Sequence, residues 1–277
     1  MFKLKQTIKI FCILFCICYS LATVASEVNY PHFSLPTTHY PLPLTHYPLK
    51  IVYRVPAQYN ENSRIMVLFG GRNWPGEKTL KAYGFDTLAD KHQLFLLSPS
   101  FVDHDYWEPE QWSGEVLKKA LAELRKRYKL KKNRLYFYGY SAGGQCANLF
   151  YAWMQDEVAA WSAHGCGVYF NAPIKEPVPA LITCGLKDEE RFQISRQFIY
   201  RYREAGGQLL WKTYQGGHEL SREALELARA WFDAILASEI IQEYGEDDTG
   251  KIRDKNSIDL EFRNPFHNTK LRELWLR

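Results

Sequence analysis

Ten residues constrain this chain more than any others: Leu135-Tyr136-Phe137-Tyr138-Gly139-Tyr140-Ser141-Ala142-Gly143-Gly144. Four bulky residues of high β-propensity are followed by Gly-x-Ser-x-Gly and then by small residues that suit a helix start. A serine on so tight a strand-to-helix turn leaves no room for side chains two residues to either side, which is why glycine stands there. The turn lifts the hydroxyl above a sheet, at the positive end of the next helix. The pattern alone arises by chance in roughly one chain in ten of this length. Its meaning therefore depends on whether an acid and a histidine follow on matching loops.

The rest of the chain reads as strands alternating with helices. Strands are expected over residues 49–55, 64–69, 93–97, 135–138, 158–163, 180–184 and 209–214. Helices are expected over 85–91, 113–128, from the serine turn to 154, 191–205 and 221–236. The helix over 113–128 has an apolar face of Val116, Leu117, Ala120, Leu121 and Leu124. Such alternation predicts a mostly parallel, twisted sheet covered by helices on both faces. Active residues of such sheets gather at the carboxyl ends of the strands.

Three reactive side chains fall at such ends, in the order Ser141, Asp188, His218. A serine hydroxyl is a weak nucleophile near neutral pH. A histidine can take its proton and return it to the leaving group, and a carboxylate fixes the tautomer of the imidazole. Glu189 and Glu190 compete with Asp188 for the last role. His164 also follows a strand but precedes the acid, which fits the order badly. An oxyanion needs two backbone donors. Ala142 supplies one, and Gly71 or Arg72, after the strand ending Phe69-Gly70, the other; Gly71 is preferred. The loop over residues 100–112 is dense in aromatic groups. Trp107 and Trp112, with Tyr140, are candidates to line a substrate cleft, although loop aromatics serve equally to pack a loop onto its domain.

These segments together resemble the α/β-hydrolases. The resemblance runs from about residue 49 to 236. Within that superfamily the chain is most similar to the polyhydroxybutyrate depolymerase-type esterases, a group with feruloyl and acetylxylan esterase relatives. It rests on Tyr53-Arg54-Val55-Pro56, Gly70-Gly71, residues 107–114, Gly139-Tyr140-Ser141-Ala142-Gly143-Gly144, Asp188 and Gly217-His218. The resemblance implies an α/β-hydrolase fold with nucleophile Ser141, acid Asp188 and base His218. It implies hydrolysis of carboxylic esters through an acyl-enzyme, without cofactor or metal. Many relatives carry His-Gly where this chain has Phe69-Gly70. The 165–179 connection is too short for a large lid domain, so an open cleft and a small-molecule or polymer-borne ester are expected. A serine peptidase of the prolyl-oligopeptidase type, or a non-catalytic module binding carbohydrate or aromatic groups, is the alternative.

The ends of the chain differ from this 49–238 domain. Residues 1–26 hold Lys3, Lys5 and Lys9, then an apolar run from Ile10 to Tyr19 and small residues at Ala25-Ser26. This is the pattern of a cleaved signal peptide, so export to the periplasm or beyond is expected, with no stable membrane span after cleavage; the run is short for an anchor. Its removal takes away three lysines and no acid, lowering the formal charge from +4 to +1. No argument for a nucleic-acid partner survives that change. Cys146, Cys166 and Cys184 remain, allowing at most one internal disulfide; apolar neighbours favour buried thiols. Residues 27–48 are Pro-rich and carry a repeated Thr-His-Tyr-Pro-Leu. His39 and His46 in it read as a duplication and not as metal ligands. Residues 239–277 are polar and read as an extension with an ill-defined fold. Oligomeric state is not encoded in any of these patterns.

Overall fold

In residues 135–140, Leu135 and Phe137 pack into one apolar layer and Tyr136 and Tyr138 into the opposite one. A strand buried on both faces must be central in its sheet. The computed structural model, which describes residues 40–42, 49–101, 105–247 and 249–277, places it so. The expected signal peptide, His39 and His46 lie outside the described residues.

Eight strands build the main sheet: β1 (Tyr40–Leu42), β2 (Leu49–Arg54), β3 (Arg64–Phe69), β4 (Leu94–Pro99), β5 (Leu135–Tyr140), β6 (Val158–His164), β7 (Ala180–Gly185) and β8 (Leu209–Tyr214). Their spatial order is β1-β2-β4-β3-β5-β6-β7-β8. The first two are antiparallel to their neighbours and the remaining pairs are parallel. Phe69 is level with Gly139, and Tyr140 with His164 and then Thr183. The register therefore brings the carboxyl ends of β3, β5, β6 and β7 to one edge.

Helices α1 (Gly76–Tyr83), α2 (Asp86–Lys91), α3 (Gly114–Tyr128), α4 (Ala142–Trp153), α5 (Glu189–Glu204) and α6 (Arg222–Leu236) cover the sheet. One face is covered by α3, α4 and α5, and the other by α1, α2 and α6. This is the α/β-hydrolase fold. Only residues 165–179 join β6 to β7, and they contain no helix. The α1 helix is absent from the sequence reading. It starts with Gly76, whose imagined Cβ would lie 2.4 Å from the Ser98 carbonyl oxygen, so glycine is there to let helix and sheet touch. It ends at Gly84, which is left-handed at φ 59°. Among the described residues, no helix is long and apolar enough to cross a membrane.

The expectation of an ill-defined extension over 239–277 is corrected. Strands β9 (Glu243–Glu246), β10 (Ile252–Arg253) and β11 (Arg263–Phe266) form a second sheet in the order β10-β9-β11, and α7 (Thr269–Leu276) follows. Phe266, Leu271, Leu274 and Trp275 join the core layer of α6. The polar anchor is Arg203 of α5, with only 1% of its surface exposed. Its guanidinium donates to the Leu209 carbonyl at 3.0 Å and Asn264 Oδ1 at 2.9 Å, and pairs with Asp247 Oδ2 at 3.2 Å. Apolar residues spaced among charges gave no period to read. Their partners belong to the domain they dock on.

Candidate active site

The serine turn is built by two close backbone approaches. An imagined Cβ on Gly139 would lie 1.9 Å from the Gly143 carbonyl oxygen, and one on Gly143 would lie 2.0 Å from that of Phe69. Between them Ser141 takes φ 57°, ψ −121°, a conformation that L-residues rarely adopt. Its N–H donates to the His164 carbonyl at 2.8 Å, which ties the turn to β6.

The Ser141 hydroxyl lies 2.8 Å from His218 Nε2, and His218 Nδ1 lies 2.7 Å from Asp188 Oδ2. The three residues come from the ends of β5, β7 and β8. The loops carrying Asp188 and His218 are joined directly: Leu186 N–H donates to the Tyr214 carbonyl and Lys187 N–H to that of Gly216, both at 2.8 Å. A Cβ on Gly185 would lie 2.3 Å from the Gly217 carbonyl oxygen, so only glycine lets these loops meet. Glu189 and Glu190 point to solvent in the first turn of α5, while Asp188 is buried. The position of Asp188 just before that helix also places its carboxylate at a helix N-terminus, where negative charge is favoured.

Several contacts here were not read from sequence. Arg191 Nη1 donates to Asp188 Oδ1 at 3.0 Å, three residues along α5. The Tyr140 ring stacks on the His218 imidazole, with centroids 5.3 Å apart, and its hydroxyl donates to the His218 carbonyl at 3.1 Å. Its phenol pKa is raised, first by burial and then by the negative charge of Asp188. Tyr140 thus holds the histidine loop by both ring and hydroxyl. The His164 ring also stacks on Tyr140, at 5.7 Å. It is bonded to Thr183 Oγ1 at 2.7 Å and to the Glu219 carbonyl at 2.8 Å. Burial lowers its pKa to about 4, so it is a neutral strut near pH 7. The spacing of Tyr140 and His164 on neighbouring strand ends was the available signal.

Ala142 opens α4, and its N–H is one of the helix's unpaired first-turn donors. Gly71 is buried beside the turn, where an added Cβ would lie 3.3 Å from the Tyr140 ring. Its carbonyl accepts from Trp74 N–H at 3.0 Å. Phe69 faces inward against Phe137 and Phe150, so its side chain belongs to the core.

The aromatic loop divides. Trp112 is half-buried against the core and packs edge-on to Phe101 at 5.5 Å. Trp107 is half-buried and lies under the Arg72 guanidinium at 5.9 Å, on the side of the Gly71 loop. Cys146, Cys166 and Cys184 are free and buried, and burial pushes the Cys166 and Cys184 thiols up to about 12. They are poor nucleophiles.

No protein-family model matches the chain, and no curated protein matches it by sequence. Solved structures share its fold. A ferulic acid esterase superposes with a TM-score of 0.58 at 15% identity, over 73% of this chain and 96% of the other. The poly(3-hydroxybutyrate) depolymerase LpqC from Bordetella parapertussis gives 0.54 at 18% identity, over 69% of this chain and 88% of the other. A thermostable esterase gives 0.55 at 18% identity over 65% of this chain, which spans about half, 54%, of that protein.

Proposed function

We propose that this protein is a serine hydrolase that cleaves carboxylic esters through an acyl-enzyme. The observation that carries the reading is the unbroken hydrogen-bond relay of 2.7 and 2.8 Å from Asp188 through His218 to Ser141. Ser141 Oγ attacks the ester carbonyl while His218 Nε2 takes its proton. The imidazolium is stabilised by Asp188, whose other oxygen is held by Arg191. The oxyanion of the tetrahedral intermediate is received by the Ala142 and Gly71 N–H groups. Collapse expels the alcohol, which takes the proton from His218. A water activated by the same imidazole then attacks the acyl carbonyl and frees the acid and Ser141.

An unlidded cleft suits an acyl group borne on a bulky or polymeric alcohol better than free lipid. Neighbours named for ferulic acid and poly(3-hydroxybutyrate) esters agree with that class. We assign Trp107 and Trp112, with Tyr140, to the substrate cleft; the stacking of Arg72, next to Gly71, over the Trp107 ring supports this for Trp107. The leader-like residues 1–26 support a site of action outside the cytoplasm. The test is a panel of p-nitrophenyl acetate, butyrate and octanoate with methyl ferulate and a chromogenic peptide. The reading requires ester turnover that disappears in Ser141→Ala. Peptide turnover without ester turnover would replace it by a peptidase.

A further inference from the structure

A cavity of about 320 Å3 lies away from the serine, between the edge of the main sheet and the C-terminal extension. None of Ser141, Asp188 and His218 lines it. Its apolar walls include the rings of Phe192, Trp211 and Trp275. Its charged lining is Arg196, Lys212 and Asp247.

Among the described residues the charges do not balance. Asp247 is the one carboxylate they contribute to the lining, and its Oδ2 is already shared by Arg196 at 2.7 Å and the buried Arg203 at 3.2 Å. Lys212 Nζ donates to the Trp275 main-chain carbonyl at 2.5 Å and pairs with no carboxylate among the described residues. Burial draws its pKa below the usual lysine value, as expected of a half-buried cation short of counter-charge.

We propose that this cavity binds a small aromatic carboxylate, with its ring against Phe192, Trp211 and Trp275 and its anion on Lys212. A bare inorganic anion would make no use of the apolar walls, and a neutral ring would bring Lys212 no counter-charge. The volume is at the lower end of the roughly 300–1,000 Å3 usual for ligand pockets, which limits the ligand to about one ring and a short arm. Leu186, two residues before Asp188, is part of the lining, so the ligand packs behind the loop that carries the acid. The inference stands on the cavity alone and holds whether or not Ser141 is a nucleophile.

The test uses 4-fluorobenzoate followed by fluorine NMR on the full protein. Saturable broadening is expected with wild type and Lys212→Arg. Lys212→Met should weaken it at least tenfold, and Thr213→Phe, which fills the cavity, should abolish it. The neutral 4-fluorobenzyl alcohol should bind at least tenfold more weakly than the acid. Circular dichroism and melting curves establish that each variant is folded; if Lys212→Met is not, Thr213→Phe and the acid-to-alcohol ratio decide. Absence of saturable binding to wild type, binding indifferent to both variants, or equal binding of acid and alcohol would overturn the proposal.

Discussion

Arg191 and His218 hold opposite oxygens of one carboxylate: Nη1 of Arg191 is 3.0 Å from Asp188 Oδ1, and Nδ1 of His218 is 2.7 Å from Oδ2. The clamp fixes the plane of the carboxylate and so the aim of the imidazole. It also sets a positive charge near the place where the imidazolium forms. Without the clamp the carboxylate can turn and the imidazole loses its aim at Ser141. Arg191→Gln should therefore lower kcat/KM by lowering kcat with KM little changed, and Arg191→Lys should restore most of the loss. A kcat for Arg191→Gln equal to that of wild type would show that the clamp does not aim the imidazole.

His164 makes a second prediction, this time for stability. Its folded pKa of about 4 lies below the ordinary value of 6.5. Between these values the unfolded chain binds the proton and the folded chain does not. Stability is therefore full above pH 6.5, falls as pH drops from 6.5 to 4, and loses no more from this group below 4. The total is on the order of 3 kcal/mol. His164→Gln, which cannot take the proton, should flatten the urea-midpoint curve in that window. A slope equal to that of wild type would assign the acid sensitivity elsewhere.

Asn264 and Trp275 close the open edge of β8. Asn264 Oδ1 accepts from Trp211 N–H, and Trp275 Nε1 donates to the Trp211 carbonyl, both at 2.7 Å. An edge strand left with free groups is a template for pairing with another chain. Asn264→Ala strands the Trp211 N–H and one donor of Arg203, and should cost about 2 to 3 kcal/mol in chemical unfolding. Deleting residues 239–277 should in addition give a concentration-dependent shift to larger species in size-exclusion chromatography. A truncated chain that stays monomeric would show that the extension does not guard this edge.

Gly143 is the tightest point of the serine turn apart from Gly139. Gly143→Ala would place Cβ 2.0 Å from the Phe69 carbonyl oxygen. Backbone on both sides leaves no flexible atom to yield. A loss of roughly 3 kcal/mol or more is expected, with activity falling further than stability. Gly217→Ala, where no atom lies within 4 Å of the added Cβ, is the control and should melt within a few degrees of wild type. Equal melting temperatures for the two variants would contradict this account of the turn.

The parts of this molecule that were legible in its sequence are those set by local chemistry. The bulky run of β5, the glycines around Ser141 and the position of Asp188 and His218 after strands all follow from a few consecutive residues. Contacts between distant segments left no local trace. Arg191 reads as one more charge on α5 until the orientation of Asp188 is known. Trp107 and Trp112 are alike in sequence, yet one faces the Gly71 loop and the other packs on Phe101. The extension reads as unstructured because its anchors, Arg203 and Trp211, stand more than forty residues before the groups they bond.

The most direct measurement is intact-mass spectrometry of the purified protein after brief reaction with p-nitrophenyl butyrate at mildly acidic pH, where deacylation is slowed, followed by peptide mapping. The account predicts one butyryl group, carried by Ser141, and none on Ser141→Ala. Ester turnover by Ser141→Ala at the wild-type rate, or an acyl group on another residue, would contradict it.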